Sequence, residues 1–335
     1  MINTDELRQR LEQLVDPTLK MNLKDSQAIK HIGYDENKDL VTLIIAIGKL
    51  GGDEEYALRR EIAKVVKLDC NHKGLRLQLE ESKIFSSIVK KNVTFIGVIS
   101  GKGGVGKSSI AANLAYALKR NNQKVGIIDA DIYGSSIPTI LNLEHQKPVY
   151  NDNKKIIPPM IDNIQVISTE LFTDPGQPVL WRGSLLNSML NHFFYDVAWD
   201  DDTDFIIIDY PPGTGDIALD IKAIVPQTKM ILVTTPHPSA SHVAVKAGTA
   251  AKSLGHQILG VIENMSYYVN PNTNEHEFIF GNGGGREIAE ELDTELLGKL
   301  EISNPKHSLN IYESDEKNGK IFDEIASILI SIHNM

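Results

Sequence analysis

Four glycines, two lysines and a serine crowd into eight residues, Gly101 to Ser108, in the order GKGGVGKS. The pattern G-x-x-x-x-G-K-S is that of a phosphate-gripping loop. Glycine reaches backbone angles that other residues avoid, so several N–H groups can converge on one anion. Lys107 supplies a point charge for the β- and γ-phosphates, and Ser108 a hydroxyl for Mg²⁺. Two further stretches carry carboxylates at the ends of apolar runs. KVGIIDAD ends in Asp129 and Asp131, and DFIIIDYPPGTGD places Asp209 after an isoleucine run. A carboxylate there suits Mg²⁺, directly or through water. Gly213, in the loop that follows, has a backbone N–H to offer a γ-phosphate, which makes that loop a candidate switch.

These groups act together only if strands and helices deliver them to one edge. VTFIGVIS before the loop has the length and β-branching of a buried strand, and Ile110 to Lys119 has a helical pattern. Strand, glycine loop and helix put the helix's positive end at the phosphate. Lys124–Asp129, Ile164–Ser168, Asp204–Asp209, Lys229–Thr235 and Ile258–Glu263 read as further strands. Helices are expected from about Ser184 to Asp196, from Ser241 to Leu254 and over the amphipathic tail from Lys320. Carboxylates at strand ends of an open α/β sheet lie at its ligand crevice. The fold expected is α/β, a mostly parallel sheet with helices on both faces, preceded by a small α+β domain.

That small domain covers residues 1–80. Asn3 is placed to cap a helix bearing Leu7, Leu11 and Leu14, with Glu6 in the capping-box position. Ala28–Tyr34 and Leu40–Ile47 read as strands, Asp53–Lys67 as a helix, and Leu75, Leu77 and Leu79 as a last strand. Residues 81–92 read as a linker, and 93–335 as the phosphate-loop domain.

Composition narrows the partners. The chain has 335 residues, a formal net charge of −10 and one cysteine, Cys70. The acidic balance argues against nucleic acid or an anionic membrane as the main partner. No apolar run approaches a membrane span, and the start MINTDELRQR lacks an apolar signal core. A lone cysteine excludes an internal disulfide framework and fits a reducing cytoplasm. His237 and His242 have no cysteine or carboxylate nearby and read as loop and helix-start residues.

The loop with its extra lysine, Lys102, resembles the deviant phosphate loop of the MinD/Mrp class of ATPases. GKGGVGKSS, DADIYGSSIP, WRGS, DYPPGTGD, VTTPHP, GVIENMSYY and FGNGGG together resemble an Mrp/ApbC-type ATPase over residues 93–310. The first 80 residues, with VDP at Val15–Pro17, are similar to the small iron–sulfur assembly domain that often precedes such ATPases. The resemblance implies an ATP-hydrolysing homodimer with nucleotide between subunits. It implies that Lys102 reaches the partner subunit's nucleotide, and that Lys102, Lys107 and Asp131 are the catalytic set. Asp131, 24 residues after Lys107, would orient the attacking water. Asp129 would stand near the metal through water. The expected ATP contacts are Gly101, Lys102, Gly103, Gly104, Val105, Gly106, Lys107, Ser108, Ser109, Gly213 and Asn264, the last at the adenine edge. Ser108 and Asp209 would hold Mg²⁺, and the WRG element would lie at the dimer or partner face.

The family is described as iron–sulfur cluster carriers or assembly factors. Many members carry C-x-x-C after the ENMSYF element, where this chain has ENMSYYVNPNTNEHEF. Thiolates are the usual cluster ligands, so no iron–sulfur ligand is assigned. The chain also resembles the cysteine-less branch that includes SalA-type regulators from Firmicutes. Two readings stand: a cluster carrier, and a metal-free ATP-driven switch acting on a protein client that the sequence does not identify.

Overall fold

The structure, a computed structural model, describes residues 4–334 apart from 19–20, 25, 27, 37, 49, 82–92, 153, 174–183, 214 and 308–309. The expected Asn3 cap, the WRG element and all of the linker but Glu81 lie outside the described residues. The chain separates into two compact units, residues 1–90 and 91–335.

In the first unit, α1 (Thr4–Glu12) precedes a three-stranded sheet of β1 (Ile29–Asp35), β2 (Leu40–Ile47) and β3 (Gly74–Glu81). The strands β1 and β2 pair antiparallel, β2 and β3 parallel. The parallel step needs a crossover, and α2 (Asp53–Lys64) supplies it. The expected helix to Lys67 changes at Val65 to a five-residue π turn ending at Asp69. Leu7, Leu11, Leu43, Ile45, Leu58 and Ile62 form the buried core. Glu6 is exposed and accepts a hydrogen bond from Arg10 at 2.9 Å.

The second unit is built on a nine-stranded sheet. Its main strands are β4 (Thr94–Ser100), β5 (Val125–Asp129), β6 (Ile164–Ser168), β7 (Phe205–Asp209), β8 (Lys229–Thr234), β9 (Ile258–Val269) and β10 (Leu296–Glu301). Their order is β6-β5-β7-β4-β8-β9-β10, and every neighbouring pair is parallel. Met160–Ile161 pairs antiparallel with β6, and His276–Glu277 antiparallel with β9. Central strands buried on both faces read as unbroken apolar runs, as in FIIID of β7.

The helices of eight residues or more are α3 (Lys107–Arg120), α4 (Ser184–Tyr195), α5 (Asp216–Ile224), α6 (Pro238–Ser253), α7 (Gly284–Glu291) and α8 (Lys317–His333). Alternation along β4 sends Ile96 and Val98 into the core shared with Ile110, Leu114 and Leu118 of α3 and Phe322 and Ile325 of α8. Gly97 and Ile99 face the other side, where a Cβ on Gly97 would meet Met230 and Tyr210. The terminal helix is packed, with Phe322, Ile325, Ala326 and Leu329 buried. Helix α6 starts three residues before the expected Ser241. His237 caps it by accepting the Ser239 N–H, and Pro238 takes the first turn, where its missing N–H costs nothing. No helix among the described residues is long and apolar enough to cross a membrane.

Candidate nucleotide site

Parallel register is what assembles the site. Asp129 of β5 and Asp209 of β7 are cross-strand partners, so both carboxylates emerge at the same sheet edge. Val98 of β4 pairs with Asp209, so β4 carries its chain two residues further, to Ser100, before the glycine loop begins. The loop then feeds α3, whose first residue is Lys107.

Lys107 is 6% exposed and lies between two carboxylates. Its Nζ donates to Asp209 Oδ1 at 2.5 Å and sits 3.4 Å from Asp131 Oδ2. Ser108 Oγ donates to the other oxygen of Asp209, also at 2.5 Å. A hydroxyl and a carboxylate oxygen thus stand together. This fits Mg²⁺, which is commonly held by one or two protein oxygens and completed by phosphate and water. No cluster of three or more His, Cys, Asp or Glu among the described residues is arranged to hold a metal unaided.

Asp129 is fully buried. It accepts the Asp131 N–H at 3.2 Å, the Ile137 N–H at 3.4 Å and the Ser168 hydroxyl at 3.1 Å. Burial, with Asp209 beside it, pushes its carboxyl well above the usual range, and Lys107 opposes the shift. Burial also raises Asp209, again against Lys107. A raised carboxyl binds more protons folded than unfolded, so its stabilising contribution is lost as pH rises through the folded value. For nucleotide-free, metal-free protein, the thermal midpoint of wild type minus that of Asp129→Asn is therefore expected to fall between pH 5 and pH 8. A difference that is flat or rises over that window overturns the assignment.

The glycines of the loop differ in role. Gly106 has φ +86°, and a Cβ there would lie 2.3 Å from Asn264 Nδ2. Gly101 packs so closely on α6 that a Cβ would lie 2.3 Å from the Val243 backbone. Gly103 and Gly104 face open space. Beside them lies a cavity of about 270 Å³ bounded by Lys102, Thr235, His237, Met265 and Phe280. The Lys102 side chain is exposed and forms no ion pair among the described residues. Val105 is buried, and Ser109 is exposed on the first turn of α3.

Asn264 Nδ2 donates to the Val105 carbonyl at 2.9 Å, so its amide braces the loop. Gly213, with φ +89°, donates its N–H to the Ser100 carbonyl at 2.8 Å. The Ser100 hydroxyl donates to the Lys102 carbonyl at 3.1 Å. One serine therefore links the loop after β7 to the glycine loop.

The chain is similar to known proteins by sequence and by fold. The family described as NUBPL iron-transfer P-loop NTPase matches residues 91–328. The chain belongs to this family. An iron-sulfur cluster carrier protein of Bacillus subtilis is 38% identical over 344 residues, covering 97% of each chain. One from Mycobacterium leprae is 41% identical over 316 residues, covering 87% of this chain and 82% of its own. Among solved structures, a nucleotide-binding protein from Archaeoglobus fulgidus in complex with ADP aligns at TM-score 0.56. It is 28% identical, covering 73% of this chain and 91% of that one. The cell division ATPase MinD of Pyrococcus furiosus aligns at TM-score 0.52 and 22% identity, covering 71% and 99%, which speaks for the fold alone.

The chain has one cysteine, Cys70. The segment after Val269 is a hairpin that satisfies itself. Asn270 Nδ2 donates to Glu277 at 2.6 Å, the Asn272 N–H donates to Asn270 Oδ1 at 3.0 Å, and the Asn274 N–H donates to the Asn270 carbonyl at 2.8 Å. Cys70 lies in the other unit, half-buried, and burial pushes its thiol up, away from the reactive thiolate.

Two supporting residues escape sequence reasoning. Ser168 holds Asp129 from a strand 39 residues away. Glu263, 1% exposed, accepts the Gly285 N–H at 2.5 Å and the Ser266 hydroxyl at 2.8 Å, and pairs with Lys299 at 3.6 Å. It anchors the strand that presents Asn264. An acid inside the apolar run GVIEN is the signal that marks it.

Proposed function

We propose that this chain is an ATP-binding and ATP-hydrolysing homodimeric switch. The observation that carries the reading is the meeting of Lys107, Ser108, Asp131 and Asp209 beneath an open glycine loop. ATP lies with its phosphates over Gly101–Ser109 and its base toward Asn264. Ser108 and Asp209 would hold Mg²⁺, which would supply charge neutralisation at the β- and γ-phosphates. Lys107 leaves its carboxylate partners for the phosphates, and Lys102 from the second subunit adds charge stabilisation as the phosphoryl group departs. Asp131 orients the water. The Gly213 N–H exchanges the Ser100 carbonyl for the γ-phosphate and returns to it after cleavage. Calorimetry with Mg-ATP, and phosphate release followed in time, test this. Absence of magnesium-dependent nucleotide affinity removes the proposal.

By family the cargo is an iron–sulfur cluster, delivered or assembled under ATP control. The second reading is a metal-free regulator that acts in the cytoplasm on a protein client. One cysteine per chain and the self-satisfied hairpin at Asn270–Glu277 favour it. Bridging a four-iron cluster in the usual way takes four thiolates, and a homodimer holds two. Anaerobic reconstitution with iron and sulfide is expected to leave no stoichiometric absorbing cluster. A stable cluster at one per dimer would establish the carrier reading instead.

A further inference from the structure

The carboxylate of Asp131 rests on its own loop. Gly134 donates its N–H to the Asp131 carbonyl at 3.0 Å, which closes a tight turn over residues 131–134. The turn folds under the side chain: a Cβ on Gly134 would lie 3.3 Å from Asp131 Oδ1 and 3.5 Å from Oδ2. Gly134 does not take a left-handed φ, so close approach to the carboxylate, not backbone angle, is what favours glycine there. This contact sets where the two oxygens stand, and with them the 3.4 Å approach of Oδ2 to Lys107.

The turn is in turn held from β6. Ser135 Oγ donates to the Asp131 carbonyl at 3.2 Å and lies 3.0 Å from Thr169 Oγ1. A serine hydroxyl has one proton. Spent on the carbonyl, it leaves the Ser135 oxygen as an acceptor, so Thr169 is the donor. Thr169 is 1% exposed and directly follows the last residue of β6. That last residue, Ser168, is fully buried and stands 3.3 Å from Ser135 Oγ. Ser168 is also the cross-strand partner of Asp129. Sheet register therefore delivers two buried hydroxyls to the loop that carries Asp131. Burying a hydroxyl is costly unless it is bonded, and the bond that Thr169 makes here is to this loop.

We infer that Ser135 and Thr169 are positioning residues for the hydrolysis proposed above. Thr169, fixed at the end of β6, donates to Ser135, and Ser135 donates to the Asp131 carbonyl. The turn so held carries the Asp131 carboxylate to its place beside Lys107. The effect on turnover rests on the hydrolysis reading; the hydroxyl bridge does not. Misplacing a reacting group by about 1 Å costs on the order of 100-fold in rate, so a loosened turn is expected to cost about tenfold.

The test uses the full chain. Ser135→Ala is expected to lower kcat for ATP about tenfold and to leave calorimetric affinity for Mg-ADP within about twofold. Ser135→Thr keeps the hydroxyl and is expected to restore kcat. Thr169→Val, close in shape, is expected to match Ser135→Ala, and the double variant to fall no further, because both break one bridge. Gly134→Ala crowds the carboxylate directly and is expected to slow turnover with the bridge intact. Amide hydrogen exchange in nucleotide-free protein reads the bridge without turnover. The Gly134 N–H is expected to exchange about tenfold faster in Ser135→Ala and in Thr169→Val, the scale of one hydrogen bond. Wild-type turnover in Ser135→Ala, or equal loss of kcat and Mg-ADP affinity, overturns the positioning role. So does Ser135→Thr if it turns over no faster than Ser135→Ala. Additive losses in the double variant, or a Gly134 N–H unprotected in wild type, overturn the bridge. Should wild type fail to hydrolyse ATP, the hydrolysis reading falls and the exchange rates decide the bridge. Should Thr169→Val unfold, the two Ser135 variants decide.

Discussion

Lys107→Ala protein is expected to show no calorimetric binding of Mg-ATP under conditions where wild type saturates, a loss of at least about 100-fold. Hydrogen bonds to charged partners contribute about 1.5–3 kcal/mol each, and this lysine meets a polyanion from a site shielded from water. The same substitution also strains the apo protein. Lys107 lies between Asp209 and Asp131, and Asp129 and Asp209 are fully buried. Removing one member of a buried pair leaves the other uncompensated, at a cost of about 3–5 kcal/mol. Protonation relieves part of that cost. Burial already raises Asp209, and loss of Lys107 raises it further. A more strongly raised carboxyl loses more stability as pH rises. The thermal deficit of Lys107→Ala against wild type should therefore widen from pH 5 to pH 8. Lys107→Met, which keeps the buried hydrocarbon stem, should recover packing but neither the nucleotide affinity nor the pH dependence. Tight binding by either variant would show that the loop amides alone hold the triphosphate.

The parts of this site that sequence reading reaches are those whose chemistry is local. A glycine loop between a strand and a helix, and an aspartate after FIII, are patterns within a few residues of chain. The contacts that hold them are not local. Ser168 reaches Asp129 because β6 lies beside β5 in the sheet, a neighbour relation that no short motif encodes. Gly213 reaches Ser100 across 113 positions of sequence because β7 and β4 are parallel partners. Strand ends are misread where backbone geometry changes without a change of periodicity. Glu263 looks like the end of a strand, yet β9 runs to Val269. Met265 takes φ +54° and the register with β10 shifts between Glu263 and Tyr267, after which pairing resumes. That kink turns the Asn264 amide onto the glycine loop.

Asp131→Ala should separate binding from turnover. The Asp131 backbone is pinned from several sides. Its N–H donates to Asp129 Oδ1, and its carbonyl accepts from Gly134 at 3.0 Å and from the Ser135 hydroxyl at 3.2 Å. The side chain is thereby held toward Lys107 and adds nothing to the phosphate cradle itself. Deleting it removes a negative charge 3.4 Å from the lysine, so Mg-ATP affinity should be unchanged or several-fold tighter. Hydrolysis should fall by about 100-fold or more, the scale on which a positioned group assists proton transfer or orients a nucleophile. Because cleavage is what would release the nucleotide-bridged dimer, ATP should hold this variant as a dimer on size-exclusion chromatography with light scattering, while wild type returns to monomer as ATP is consumed. Asp131→Asn retains the shape but not the charge. If orientation alone matters it should turn over faster than the alanine variant, and if the carboxylate must take a proton the two should be equally slow. Wild-type turnover in Asp131→Ala would remove this residue from the mechanism. Slow turnover without a trapped dimer would detach hydrolysis from subunit release.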